Sequence, residues 1–281
     1  MPINELISFC QDNYQKNGKC GTCAYDCDNS CNMCLQSIHN DQTNKREYDC
    51  INMTNCYVCS YINKYASEIY YTFQALVNHS STKKDEYNIL SIGCGDCADL
   101  FGITEFLKKN SRDVCIRYTG IDKNENWNAT HQKITTIFSD VQFCFEYQDV
   151  FDYVDTLNDV SFNIVILEYV LNEVRKYTPD DINYFISKLA HCVFDRLPSG
   201  SLLIINDINH DMVRRYFPIL KCEILINNSI LEASLRFRNP TTHTYGGATL
   251  TNDRLVFDTS IDRPFSEKSP CSSCIYILFK Q

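Results

Sequence analysis

The chain has 281 residues, 44% of them hydrophobic, enough for one sizeable α/β domain with a small module beside it. Its 26 basic and 35 acidic residues leave a formal charge of −9, which argues against a surface built mainly to neutralise phosphates. No run approaches about 18 apolar residues. The opening M-P-I-N-E-L-I-S-F lacks the basic flank and apolar core of a signal peptide, so the chain is read as cytoplasmic, with no membrane partner.

Seventeen residues are cysteine, and nine of them (Cys10, Cys20, Cys23, Cys27, Cys31, Cys34, Cys50, Cys56 and Cys59) fall in the first 59 positions. Without a secretion signal, bound metal is favoured over disulfides. Residues 1–59 are therefore expected to form a Cys-rich zinc-binding module. The C-x-x-C pairs Cys20/Cys23, Cys31/Cys34 and Cys56/Cys59, with Cys27 and Cys50 between them, supply the candidate ligands, and His39 lies nearby. Paired thiolates at this spacing grip a tetrahedral Zn²⁺, and two pairs close its shell. Such an ion would be structural and would supply folding free energy to a segment poor in apolar periodicity. Cys27-x-x-x-Cys31-x-x-Cys34 also has the spacing with which radical-SAM enzymes hold a [4Fe–4S] cluster, so iron–sulfur stays as the alternative. That likeness ends at the loop, because one helix and a glycine turn follow instead of a run of β-α repeats.

Over residues 57–78, Val58, Ile62, Tyr65, Ile69, Phe73 and Leu76 recur at helical steps, flanked by Tyr61, Tyr70 and Tyr71. Such a stripe either packs the module onto the main domain or offers tyrosines to a substrate. Residues 60–86, ending in the polar S-S-T-K-K-D-E, connect to a main domain over 87–281.

That domain opens with N-I-L-S-I-G-C-G-D-C-A-D-L-F-G-I-T-E-F-L-K-K-N and continues to Y-T-G-I-D, a β-α-β unit over residues 88–122. Gly93 and Gly95 let a strand turn sharply into a helix and let a ligand reach bare backbone, and Asp122 ends the second strand where ribose hydroxyls would bond. Val141, Phe143, Phe145 and Tyr147 alternate as a third strand, and residues 162–167, apolar except for Asn163, read as a strand of the central parallel kind. Thr178 as N-cap, Pro179 at the first position and Asp180-Asp181 in the first turn start a helix with Ile182, Phe185, Leu189 and Val193 on its buried face. Residues 201–206 are a fifth strand, and a short helix follows near 212–217. Residues 221–226, 229–238, 254–259 and 274–280 read as strands.

The ordered set resembles class I, Rossmann-like S-adenosylmethionine-dependent methyltransferases over residues 88–281. The parts are I-L-S-I-G-C-G-D, then G-I-D closing the second strand and Q-D-V after the third. N-I-V-I-L-E-Y-V-L-N-E follows at the fourth, L-L-I-I-N-D at the fifth, and I-Y-I-L-F-K comes late. The resemblance implies an α/β fold with a seven-stranded, mostly parallel sheet, beside the small metal-stapled module. It also implies S-adenosylmethionine as cofactor. The backbone of Gly93, Cys94 and Gly95 would cradle its methionine end, Asp122 its ribose, and Asp149 with Val150 its adenine. Glu168 and Tyr169, at the tip of the fourth strand, would border the reactive methyl as catalytic candidates. Cys97 stands where a third glycine is common, and Ser91 where an acid is. Gly93-x-Gly95-x-x-Ala98 also fits a dinucleotide fingerprint, but too little chain follows the fifth strand for a dehydrogenase's substrate domain.

An acceptor hydroxyl or protonated amine would need a base, for which Glu168, Glu173, Asp207, His210 and His243 are candidates. No N/D-P-P-Y/F sequence follows the fourth strand, and Pro270-Cys271 comes too late for the nucleophile of a C5-cytosine enzyme. Cys271-x-x-Cys274 is a late metal pair or a turn, and Cys94 and Cys97 read as packing residues. Small molecules, RNA and protein stay open as acceptors, in that order. The alternative is a non-catalytic protein that senses the cofactor or binds a partner through the zinc module.

Overall fold

In the computed structural model the described residues are 1–14, 31, 34, 35, 48, 50–157, 161–176, 178–237, 247–257 and 269–281. The expected ligands Cys20, Cys23 and Cys27 lie outside them, as do His39 and His243.

One sheet holds β1 Glu86–Ile92, β2 Cys115–Ile121, β3 Gln142–Glu146, β4 Ile164–Glu168, β5 Leu202–Ile208, β6 Ile230–Phe237, β7 Ala248–Leu250 and β8 Ser273–Lys280. Their order is β3-β2-β1-β4-β5-β8-β6-β7, and β8 runs antiparallel between β5 and β6. The strand count is eight where seven are expected. The three-residue β7 adds a parallel edge to β6, and so short an edge offers little to another chain. Successive strands depart in opposite directions from the β1–β4 pair, which opens a crevice at the carboxyl ends of those strands.

Strand residues alternate between two buried faces. Ile164 and Ile166 join one core with Leu202, Ile204, Ile275 and Ile277, while Val165 and Leu167 join the other with Leu203, Ile205 and Leu278. Burial on both sides is why the central strands read as unbroken apolar runs. The first face lies under α1 Pro2–Asn13, α2 Ile51–Ala75, α3 Ala98–Lys109 and α4 Asn128–Ile137. The second lies under α5 Val150–Thr156, α6 Val170–Val174, α7 Pro179–Lys188, α8 Asp211–Arg214 and α9 Tyr216–Leu225.

Helix α7 starts as its sequence indicates, with Thr178 and Asp181 capping each other reciprocally, and it continues into a π-helical turn, Leu189–Val193. Residues 221–226, read as a strand, instead finish α9. That run lacks strand alternation, and its Phe217, Leu220 and Ile224 fall on one helical face. Residues 254–257 likewise form no strand. Helix α2 begins earlier than its stripe suggests and runs unbroken through residue 59. It meets α3 backbone to backbone at Gly102, where a Cβ would lie 2.5 Å from the Ala66 carbonyl oxygen and 2.9 Å from Tyr70 N. Among the described residues no helix is long and apolar enough to cross a membrane.

Candidate functional site

Beyond β1 the chain turns at Gly93 (φ +66°) and Gly95 (φ +45°), angles that favour glycine. Gly93 N–H and Cys94 N–H both donate to the Ile121 carbonyl, at 2.8 and 3.0 Å, which ties the turn to the end of β2. Asp122 closes it from the same strand. Its Oδ2 accepts Gly95 N–H at 3.0 Å and its Oδ1 accepts Asn124 N–H at 2.9 Å. Burial raises the Asp122 carboxyl above the usual range, and the two backbone bonds oppose that rise. Asp149 accepts Phe151 N–H at 2.9 Å and so caps α5.

Gly93 is exposed, and Gly95, Asp122, Asp149, Val150, Glu168 and Tyr169 are half-buried around it. The expected cofactor residues are thus gathered at the carboxyl ends of β1 to β4. A methyl of Val170 lies 2.8 Å from where a Gly93 Cβ would be, and the Trp127 ring lies 3.7 Å from the Gly95 position. Cys94 contributes backbone alone to this rim. Its side chain is buried, with Sγ 2.8 Å from the Cβ position of Gly120 in β2.

At the tip of β4, Glu168 and Tyr169 come together with two residues that the sequence did not single out, Glu68 of α2 and Asn206 of β5. Tyr169 has a left-handed backbone (φ +59°), and its hydroxyl donates to Glu68 Oε2 at 2.9 Å. Asn206 Nδ2 donates to Glu68 Oε2 at 3.1 Å and to Glu168 Oε1 at 2.8 Å. Glu68 Oε1 accepts Ser272 N–H at 2.8 Å and Ser273 N–H at 3.2 Å. Desolvation, then the charges of Asp99 and Glu68, push the Glu168 carboxyl well above its ordinary value.

Between this corner and the glycine turn runs an aromatic wall. Tyr169 packs on Tyr65 with centroids 4.1 Å apart, Tyr65 stacks with Tyr61 at 5.6 Å, and Tyr57 joins Tyr61 at 5.2 Å and Trp127 at 5.7 Å. Asp96 faces this wall, close enough for its charge to raise the hydroxyl of Tyr57 and the carboxyl of Glu168, burial being the larger cause for both. Asp96 is buried, and its Oδ2 has no hydrogen-bond partner among the described residues.

The other proposed bases are engaged elsewhere. Glu173 pairs with Lys176 at 2.7 Å, and His210 caps α8 by accepting Met212 N–H at 3.1 Å. Burial pushes Asp207 up to about 7, against the bonds it accepts from Ile208 N–H at 2.7 Å and Asn172 N–H at 3.2 Å.

Of the expected zinc ligands, Cys31, Cys34, Cys50 and Cys56 pack in one buried cluster with Leu35 and Met53. Cys59 turns toward α1, its Sγ 4.0 Å from the Ile7 carbonyl. A tighter group lies under the glycine turn. The donor atoms of Cys94, Cys97 and His131 all fall within 4.8 Å of one another. Burial opposes ionisation of the Cys97 thiol, yet the hydrogen bond from Cys94 and the positive charge of His131 prevail and hold it at about 5. Cys271 and Cys274 are buried in opposite cores of the sheet, so they are not a metal pair.

No family model and no curated protein matches the sequence. Among solved structures, the chain resembles a Listeria monocytogenes protein assigned to the class I S-adenosylmethionine-dependent methyltransferases, with a TM-score of 0.51 and 12% identity over 99% of this chain and 88% of that one. A Pyrococcus furiosus methyltransferase aligns at TM-score 0.43 and 12% identity over 75% and 82% of the two chains. A precorrin-6y C5,15-methyltransferase from Geobacter metallireducens aligns at 0.40 and 12% over 73% and 87%. The first likeness, with the strand order, shows that this chain has the fold of a Rossmann-like class I methyltransferase, carrying one edge strand more than the seven expected.

Proposed function

We propose that the protein is an S-adenosylmethionine-dependent methyltransferase acting on a small molecule. The observation that carries this reading is the buried carboxylate oxygen of Asp96, without a hydrogen-bond partner among the described residues, beside an exposed glycine turn in a rim that also holds Asp122 and Asp149. Carboxylates around bare backbone fit a cofactor that is positively charged at one end and carries a ribose and an adenine at the other. The cofactor, when bound, supplies a methyl already made electrophilic by its sulfonium.

The chain's part is alignment, which is worth roughly 7–11 kcal/mol when reacting atoms are held in line. Tyr169, fixed by Glu68, and Glu168, fixed by Asn206, form the wall nearest the transfer. Burial favours the neutral form of Glu168, which makes it a better hydrogen-bonding wall than a resting base. A wall of tyrosines and acids suits a neutral or cationic acceptor and repels a polyanion, which favours a small molecule over RNA. Cys31, Cys34, Cys50 and Cys56 would hold a structural zinc.

Calorimetry with S-adenosylhomocysteine tests the cofactor assignment. Wild type should bind, and Asp122→Ala should lose at least about tenfold in affinity, roughly 1.4 kcal/mol. Absence of binding to wild type removes the reading. Labelled cofactor incubated with cell fractions then names the acceptor class, and label in RNA or protein would displace the small-molecule assignment.

A further inference from the structure

We infer that Cys94, Cys97 and His131 form a zinc site beneath the glycine turn, separate from the cysteine cluster of the N-terminal segment. The three side chains reach the same point from two elements. Cys94 and Cys97 belong to the turn between β1 and α3, where Cys97 N–H donates to the Cys94 carbonyl at 2.7 Å, and His131 belongs to α4. All three are buried. Donors around a tetrahedral Zn²⁺, at about 2.0–2.3 Å from the ion, lie roughly 3.3–3.8 Å from each other. Cys94 Sγ is 3.8 Å from His131 Nε2, at the edge of that range, and all three donors lie within 4.8 Å of one another. Two sulfurs and one imidazole select zinc over magnesium or calcium.

Second-sphere contacts and local charge support the assignment. His131 Nδ1 lies 2.8 Å from the Tyr147 hydroxyl, and its ring stacks on Phe145 at 4.0 Å, so the imidazole is oriented as metal-bound histidines are. The Gly95 carbonyl oxygen lies 2.7 Å from His131 Nε2. Asp96 and Asp99 flank the thiols, both are buried, and each leaves one carboxylate oxygen without a hydrogen-bond partner among the described residues. Burial opposes ionisation of both carboxyls, and a bound cation would offset the cost of their charged forms. On binding, any proton still held by a ligating sulfur or by Nε2 passes to solvent, and no electron is transferred. The ion would pin the turn that carries Gly93 and Gly95 to α4.

Zinc titration of metal-stripped, full-length protein against a competing chelator tests the site. Wild type should hold one equivalent that vanishes in Cys97→Ser and in His131→Asn, and this loss should add to any caused by Cys31→Ser. Tyr147→Phe removes one hydroxyl from a half-buried ring and should leave the fold intact. It should weaken the same equivalent about 10–100-fold, and it decides the matter if the ligand variants do not fold. Unchanged zinc content in the folded ligand variants, or unchanged affinity in Tyr147→Phe, overturns the site. Calorimetry with S-adenosylhomocysteine on the same samples separates the two readings, since wild type that binds zinc here but no nucleoside keeps this site and loses the proposed function.

Discussion

The two faces of the sheet are held by different chemistry. Under α5 to α9 the contacts are apolar, with Leu90, Val165, Leu203 and Leu278 meeting Ile182, Phe185, Leu189 and Leu220. Under α2 the layer is mixed, and Asn52, Asn55, Asn63, Ser67, Glu68 and Thr72 of that helix are all buried. Ser67 Oγ accepts Val256 N–H at 2.8 Å, and Glu68 accepts from four donors. An apolar layer tolerates a change of shape, whereas a buried polar layer requires every group to keep its partner. The stricter layer is the one that reaches the Tyr169 corner of the site.

The largest effect should come where α2 and α3 touch. Gly102→Val would drive carbon into the Ala66 carbonyl oxygen, with a loss of about 3 kcal/mol or more in urea unfolding. A near-neutral result would mean that the helices are not in backbone contact. Next comes Glu68→Ala, which strips Ser272 N–H, Ser273 N–H, Tyr169 and Asn206 of their acceptor and should cost about 3 kcal/mol. On the apolar face, Ile186→Leu conserves volume and should cost under about 1.5 kcal/mol. If that exchange proved as damaging as Glu68→Ala, the contrast between the faces would fail.

The smallest effect is set by pH. His191, in the π-helical turn, lies 3.1 Å from Asp195 Oδ2 and 3.0 Å from Glu223 Oε2. The bonds to Asp195 and then Glu223 raise its pKa above the usual imidazole value. Asn227 and Asn228 also donate to Asp195, and Lys280 donates to the Phe194 and Asp195 carbonyls from β8. A raised folded value makes the contribution complete below the unfolded pKa of about 6.5 and lost as pH rises through the higher folded one. The difference in Tm between wild type and His191→Gln should therefore be widest near about pH 5.5 and shrink by about pH 8.5. A gap that widens with pH would contradict this.

Much of the fold was legible because it is encoded locally. The glycine turn, the apolar run of β4 and the Thr178 cap each declare themselves within a few residues. Helix α9 did not, because Y-F-P-I-L-K-C-E-I-L is apolar nearly all round, with Ile219 and Leu225 exposed, and so shows no clear period. The rim residues Gly93, Gly95, Asp122 and Asp149 were legible through their places at strand ends. Glu68 and Asn206 were not, since they meet across 138 positions and neither has a local pattern. His131 escaped for a similar reason. The spacing of Cys94 and Cys97 is visible, but their partner sits on a helix between β2 and β3 that the sequence did not mark.

Helix α2 has 25 residues and no proline or glycine, which makes it a strut roughly 37 Å long with nowhere to kink. Met53 and Cys56 lie among the clustered thiols near one end, and Glu68 fixes Tyr169 toward the other. The sulfur cluster and the β4 tip are therefore spanned by one unbroken helix, so their separation is fixed by backbone hydrogen bonds and not by a loop.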